Sequence, residues 1–118
     1  MRETFSLAAA ILALLAAFVP VVGAILGGEP TKYVGSVGLT GLLGAVFATI
    51  AAHSVARQGH AAFAPVATAT LIGIWHLLVP TAYDPGGLAV ATAYGGGAVL
   101  TVFAAYLVFE EIERVAFS

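Results

Sequence analysis

His76 is the residue of this chain best able to do chemistry. It is one of three histidines, and it lies deep in a stretch, 58–83, that holds no Asp, Glu, Lys or Arg. An imidazole titrates near neutrality, so it can pass a proton or hold a ligand. Inside an apolar run such a group is costly to bury, which makes it a candidate intramembrane functional residue. A structural reading stands beside that one. Pro80 lacks an amide hydrogen, so the carbonyl of His76, four residues earlier, loses its helical partner. A neighbouring helix, a threonine or a water can satisfy that carbonyl, and the imidazole can simply bond across to another helix. Both readings stay open at this point.

The other candidates are weaker. Thr68, Thr101 and the run Gly95, Gly96, Gly97 could line a path through the membrane. Threonine, however, also bonds its own helix backbone, and glycine-dense helices also serve tight packing. His53 and His76 differ in depth by roughly 20 Å at ~1.5 Å per residue, and His60 falls in a loop. A two-histidine haem and a zinc site are therefore not expected. There is no cysteine, which removes disulfides, Fe–S clusters and thiol chemistry. No lysine or carboxylate lies inside an uncharged run, so a retinal Schiff base is excluded as well. We expect no resident cofactor, no metal and no enzymatic activity.

The elements that position these residues follow from where charge is missing. Hydrophobic residues make up 61% of the 118 residues and charged ones 8%, against roughly 25% charged in a soluble domain. The four basic and six acidic residues leave four uncharged runs, 4–28, 33–56, 58–83 and 85–109, of 25, 24, 26 and 25 residues. A helix needs ~20 residues to cross a ~30 Å hydrocarbon core. The chain thus reads as an all-α integral membrane four-helix bundle, one domain over 1–118 with spans near 5–27, 33–56, 61–83 and 87–109. The lipid bilayer is its first partner, and four basic residues are too few for a nucleic-acid footprint. Arg2, the first apolar run and Val22-Gly23-Ala24 loosely fit a secretory leader. The length of the run and Glu3 favour a retained span.

Gly27-Gly28-Glu29-Pro30, Arg57-Gln58-Gly59-His60 and Asp84-Pro85-Gly86-Gly87 carry the breakers that end helices. Joints this short make neighbouring helices antiparallel. Both termini and the second joint then share one side, with Arg2, Arg57 and Arg114 on it and only Lys32 on the other. The positive-inside bias puts that side, and both termini, in the cytoplasm of a multi-pass cell-membrane protein. Glu110-Glu111-Ile112-Glu113-Arg114 reads as a solvated helix stop or a dock for a basic partner. Trp75, Tyr83 and Tyr33 fit an interfacial aromatic belt. Glu29-Pro30 and Asp84-Pro85 read as helix-starting turns, or as an acidic mouth that attracts cations.

Within the first run, Ala9, Ala13, Ala16, Pro20 and Gly23 are spaced 4-3-4-3, one stripe along a helix. Leu12, Leu15, Val19, Val22 and Leu26 form a bulkier stripe. In lipid, close backbone approach at small residues drives helix association, so the small stripe is expected to meet protein and the bulky one lipid. The second run has its own seam at Gly38, Gly41, Ala45 and Ala48. Shifting the first stripe by sixty places Ala69, Gly73, His76 and Pro80 in the third run, with Ala9 on Ala69, Ala13 on Gly73 and Pro20 on Pro80. The chain reads as two tandem copies of a helical hairpin, in parallel orientation.

On these residues the chain resembles two families. In length and span count the chain resembles small multidrug exporters, but those carry a membrane-embedded glutamate in the first span, and here Glu3 stands at its start. The segment Leu71-Ile72-Gly73-Ile74-Trp75-His76-Leu77-Leu78-Val79-Pro80 resembles the Gly-x-Trp…Pro segment of SPW-repeat membrane proteins, small prokaryotic proteins with two tandem hairpins. Val19-Pro20 echoes it in the first hairpin, and the triplet position reads Val79-Pro80-Thr81. That resemblance implies an architecture and no activity. The functional expectation is a non-enzymatic accessory or scaffold subunit that associates through its small-residue seams, with copies of itself or a larger membrane complex. The alternative is a small oligomeric channel or transporter with His76 in the path.

Overall fold

The computed structural model describes the backbone of residues 2–116 and the side chains of residues 3–116. Arg2, counted above among the basic residues of one side, has its side chain outside the described residues. Four helices follow one another, α1 (Arg2–Leu26), α2 (Thr31–Gln58), α3 (Phe63–Tyr83) and α4 (Gly87–Ala116). All four are long and apolar enough to cross a membrane. The all-α four-helix bundle read from the charge gaps is the fold observed.

The joints close with the expected breaker chemistry. Gly28 takes φ +64, a left-handed conformation open to glycine at no steric cost. Its amide donates to the Ile25 carbonyl at 3.1 Å and the Glu29 amide to that of Ala24 at 3.1 Å. Together these bonds make a Schellman stop for α1. Gly59, at φ 82, ends α2 with its amide on the Val55 carbonyl. Asp84 ends α3 in the same way at φ 50, on the Pro80 carbonyl. Aspartate is among the few non-glycine residues that tolerate this region. Glu29 then reaches across from the first joint and accepts the Gly86 amide at 3.0 Å. A carboxylate suits that place, because the start of α4 carries unsatisfied N–H groups and a positive dipole end.

Joints of three or four residues fold the helices antiparallel. α1 packs against α2 and α4, and α3 against α4 and α2, with α2 and α3 sharing the smallest of the four interfaces. The helices therefore form a square, with α1 diagonal to α3 and α2 to α4. The long axis is 47 Å, well beyond the ~30 Å of a hydrocarbon core. α4 runs on to Ala116 as an unbroken helix, seven residues past the expected span end at 109.

The middle of the core is built mostly from small residues. Ala13, Ala16, Ala17, Ala45, Ala48 and Ala104 fill the middle around Leu100, a single large buried side chain. Leu12, Leu15, Val19, Val22 and Leu26 are all exposed. That is the arrangement of helices held by close backbone approach and bathed in lipid.

Tyr33 departs from the aromatic-belt expectation. It is 2% exposed and packs in the core layer with Val37, Val79 and Ala89. Its hydroxyl lies 3.5 Å from the Ala89 carbonyl and its ring meets Tyr83 edge-on at 5.8 Å. Trp75 is partly buried against the same layer with its indole N–H inside the protein. Small neighbours such as Ala24, Ala89 and Ala93 leave room that these aromatic rings fill.

Candidate functional site

His76 is fully buried, at 0% exposure. α3 brings it to the centre of the square because Ala69, Gly73, His76 and Pro80 recur at helical spacing and all face inward. Its Nε2 lies 2.8 Å from Thr40 Oγ1 on α2. The Thr40 hydroxyl donates to the Ser36 carbonyl at 2.7 Å. A hydroxyl has one hydrogen, so Thr40 accepts from His76, and Nε2 carries the proton. Nδ1 is then left as the bare acceptor of a neutral imidazole. It is buried and has no hydrogen-bond partner among the described residues.

The other side of the site is the crossing of α3 and α4. A Cβ placed on Gly97 would lie 3.0 Å from His76 Cβ and 3.1 Å from the Gly73 carbonyl oxygen. One placed on Gly73 would collide with Thr101, 2.7 Å from its amide nitrogen. Only glycine permits this approach at both positions. Thr101 Oγ1 is also buried without a partner among the described residues. Thr40 and His76 thus meet between α2 and α3, while Thr101 of α4 lies against Gly73, one turn along α3 from His76.

The remaining sequence candidates scatter. Gly95, Gly96 and Gly97, adjacent in sequence, face three ways. Gly95 is exposed with no atom within 4 Å of an added Cβ, Gly96 abuts Pro20 and the Ala16 carbonyl on α1, and Gly97 abuts His76. Thr68 is half-buried and bonds its own helix at the Ala64 carbonyl, 2.8 Å away. It stands eight residues, ~12 Å, from His76 and is not part of the site. Of the seam residues, Ala9, Ala13, Ala16, Pro20, Gly23, Gly41, Ala45, Ala48, Gly73 and Pro80 are buried. Gly38 is half-buried and faces open space, and Gly44 meets α1, α3 and α4 instead.

A second polar cluster sits where α1 starts and α4 ends. Glu111 is only 6% exposed. It takes Arg114 Nε at 3.0 Å and Nη2 at 2.5 Å, and His60 Nδ1 lies 3.2 Å away. Ser6 donates to Glu110, and Ser54 to the His60 carbonyl at 2.8 Å. Ser6, His60, Glu110, Glu111 and Arg114 line a cleft of about 530 Å³ with Glu3 and Glu113, beside a smaller apolar groove of about 380 Å³ between Phe63 and Val115. The end of α4 is therefore tied to the second joint rather than simply solvated. The spacing of Glu111 and Arg114, three apart on a helix, was the signal for half of this. Across the described residues no group of three His, Asp or Glu side chains is placed to hold a metal ion.

Fold and composition define a multi-pass membrane bundle. Comparison of the chain with family models, curated proteins and solved structures gives no match.

Proposed function

We propose that this chain is a non-enzymatic accessory or scaffold subunit of a membrane assembly, joining copies of itself or a larger complex. The observation that carries this reading is on the outside of α4. Ala91, Gly95 and Ala98 are exposed in one line at spacings of 4 and 3, and an added Cβ at Gly95 meets nothing within 4 Å. The inner seams serve the chain's own fold, so association runs through this outer line, where small residues let a second helix approach closely. Arg57 and Arg114 at the end that carries both termini, against Lys32 at the other, support a cytoplasmic placement of that end in the cell membrane. The sixty-residue correspondences support a tandem-hairpin origin of the SPW-repeat kind.

The mass of the protein in a mild detergent or nanodisc tests the reading. An oligomer or a co-purified complex that Gly95→Leu converts to monomer is expected. A strictly monomeric wild type without a partner overturns it.

A second reading, a small channel or transporter, draws on His76 and Thr101 as polar atoms at the centre of the square. Its path would run through the interior of one chain, since His76 is sealed from the outer faces. Liposome flux from about pH 5 to 8 tests it. Flux that His76→Ala leaves unchanged in size and pH profile removes His76 from the path.

A further inference from the structure

His76 Nδ1 and Thr101 Oγ1 are two buried polar atoms on one helix crossing, each without a partner among the described residues. Unpaired polar atoms in an apolar interior are costly. Most such groups in folded proteins are satisfied, often by an ordered water. The geometry of the crossing says where that water would lie. Side chains on a helix lean toward its N-terminus, so the imidazole leans from the level of His76 toward that of Gly73. Gly73 is the residue whose missing Cβ is replaced by Thr101. Its carbonyl oxygen faces the same crossing, 3.1 Å from where a Cβ on Gly97 would stand. A carbonyl has two lone pairs, and its helical bond uses one.

We propose that the crossing of α3 and α4 binds one water molecule between His76 Nδ1, Thr101 Oγ1 and the Gly73 carbonyl. The hydrogen-bond inventory closes. The water donates one hydrogen to Nδ1 and one to the Gly73 carbonyl, and accepts the Thr101 hydroxyl. Three bonds is the usual complement of a buried water. The Nε2-protonated tautomer set by Thr40 is the one that leaves Nδ1 able to accept. The chain Ser36, Thr40, His76, water, Thr101 then joins α2, α3 and α4 by directed bonds. This site is independent of the scaffold reading; the channel reading draws on the same two side chains, but a bridging water here requires no flux.

The test is solid-state NMR of the ¹⁵N-histidine-labelled protein in lipid bilayers, following magnetisation from water to each ring nitrogen. Expected for His76 are a protonated Nε2, a non-protonated Nδ1 with the shift of a hydrogen-bond acceptor, and transfer from water to Nδ1. Thr101→Val should abolish that transfer and move the Nδ1 shift, while Thr101→Ser keeps both. A protonated Nδ1, or no transfer from water in the wild type, overturns the proposal. So does transfer that Thr101→Val leaves intact. A Nδ1 shift that depends on Thr101 without water transfer means a direct bond and also overturns it. If Thr101→Val fails to fold, the wild-type measurement decides alone.

Discussion

The square has two opposite interfaces, α1 with α4 and α3 with α2. Ala16 and Pro20 of α1 correspond to His76 and Pro80 of α3, and Gly96 and Leu100 of α4 to Ser36 and Thr40 of α2, each pair sixty apart. Each proline frees a carbonyl one turn back. On α1 that carbonyl belongs to Ala16, and glycine at position 96 lets α4 come right up to it. The result is a close contact in a layer of small residues around Leu100. On α3 the carbonyl belongs to His76, and a ring and a hydroxyl fill the place of a methyl and a leucine. That interface is the less extensive one. The contrast shows two ways of closing an interface beside a proline. Close approach needs a missing side chain, whereas a polar pair needs room and a matched acceptor.

Four substitutions can break or sharpen this contrast. Gly96→Val should be the most damaging, by about 3 kcal/mol, because the new atoms meet Pro20 and backbone that cannot step aside. The unfolding midpoint in bicelles reads it, and the same change at Ser36 should cost clearly less. Thr40→Val comes second, at about 1–2 kcal/mol, since it strands the Nε2 hydrogen. Adding His76→Leu to it should restore much of the loss, and a double mutant less stable than Thr40→Val would show that the ring packs rather than bonds. Arg114→Gln should act locally, speeding hydrogen exchange at the end of α4 and the second joint while the midpoint scarcely moves. Gly95→Ala should change stability by less than about 0.5 kcal/mol, one residue from the most damaging site.

Much of this architecture was legible in composition. Charge gaps of membrane length, breakers at the joints and a small stripe on the first run were sufficient for four antiparallel helices and for the inward face of α1. Pairings between helices were harder to see, because periodicity gives a face and not its partner. Thr40 was within reach even so. It stands seven residues from the expected span start at 33, and His76 seven from the span end at 83, which antiparallel neighbours bring to one level. Tyr33 was misread because an aromatic at a span end suits a lipid interface and a core of alanines equally well. Glu111 escaped because its burial depends on His60, a loop residue fifty-one positions away. Gly38 was placed in a packing seam and Gly95 in a candidate path, since nothing in the residue type tells which face of its helix a glycine occupies.

The bond from Glu29 to the Gly86 amide has a consequence for how the protein is made. Glu29 belongs to the first turn between spans and leaves the ribosome long before α4 exists. When the fourth segment is finally released into the bilayer, a carboxylate already stands beside the berth its leading end must occupy. The early half of the chain thereby carries a partner for the leading end of its last helix.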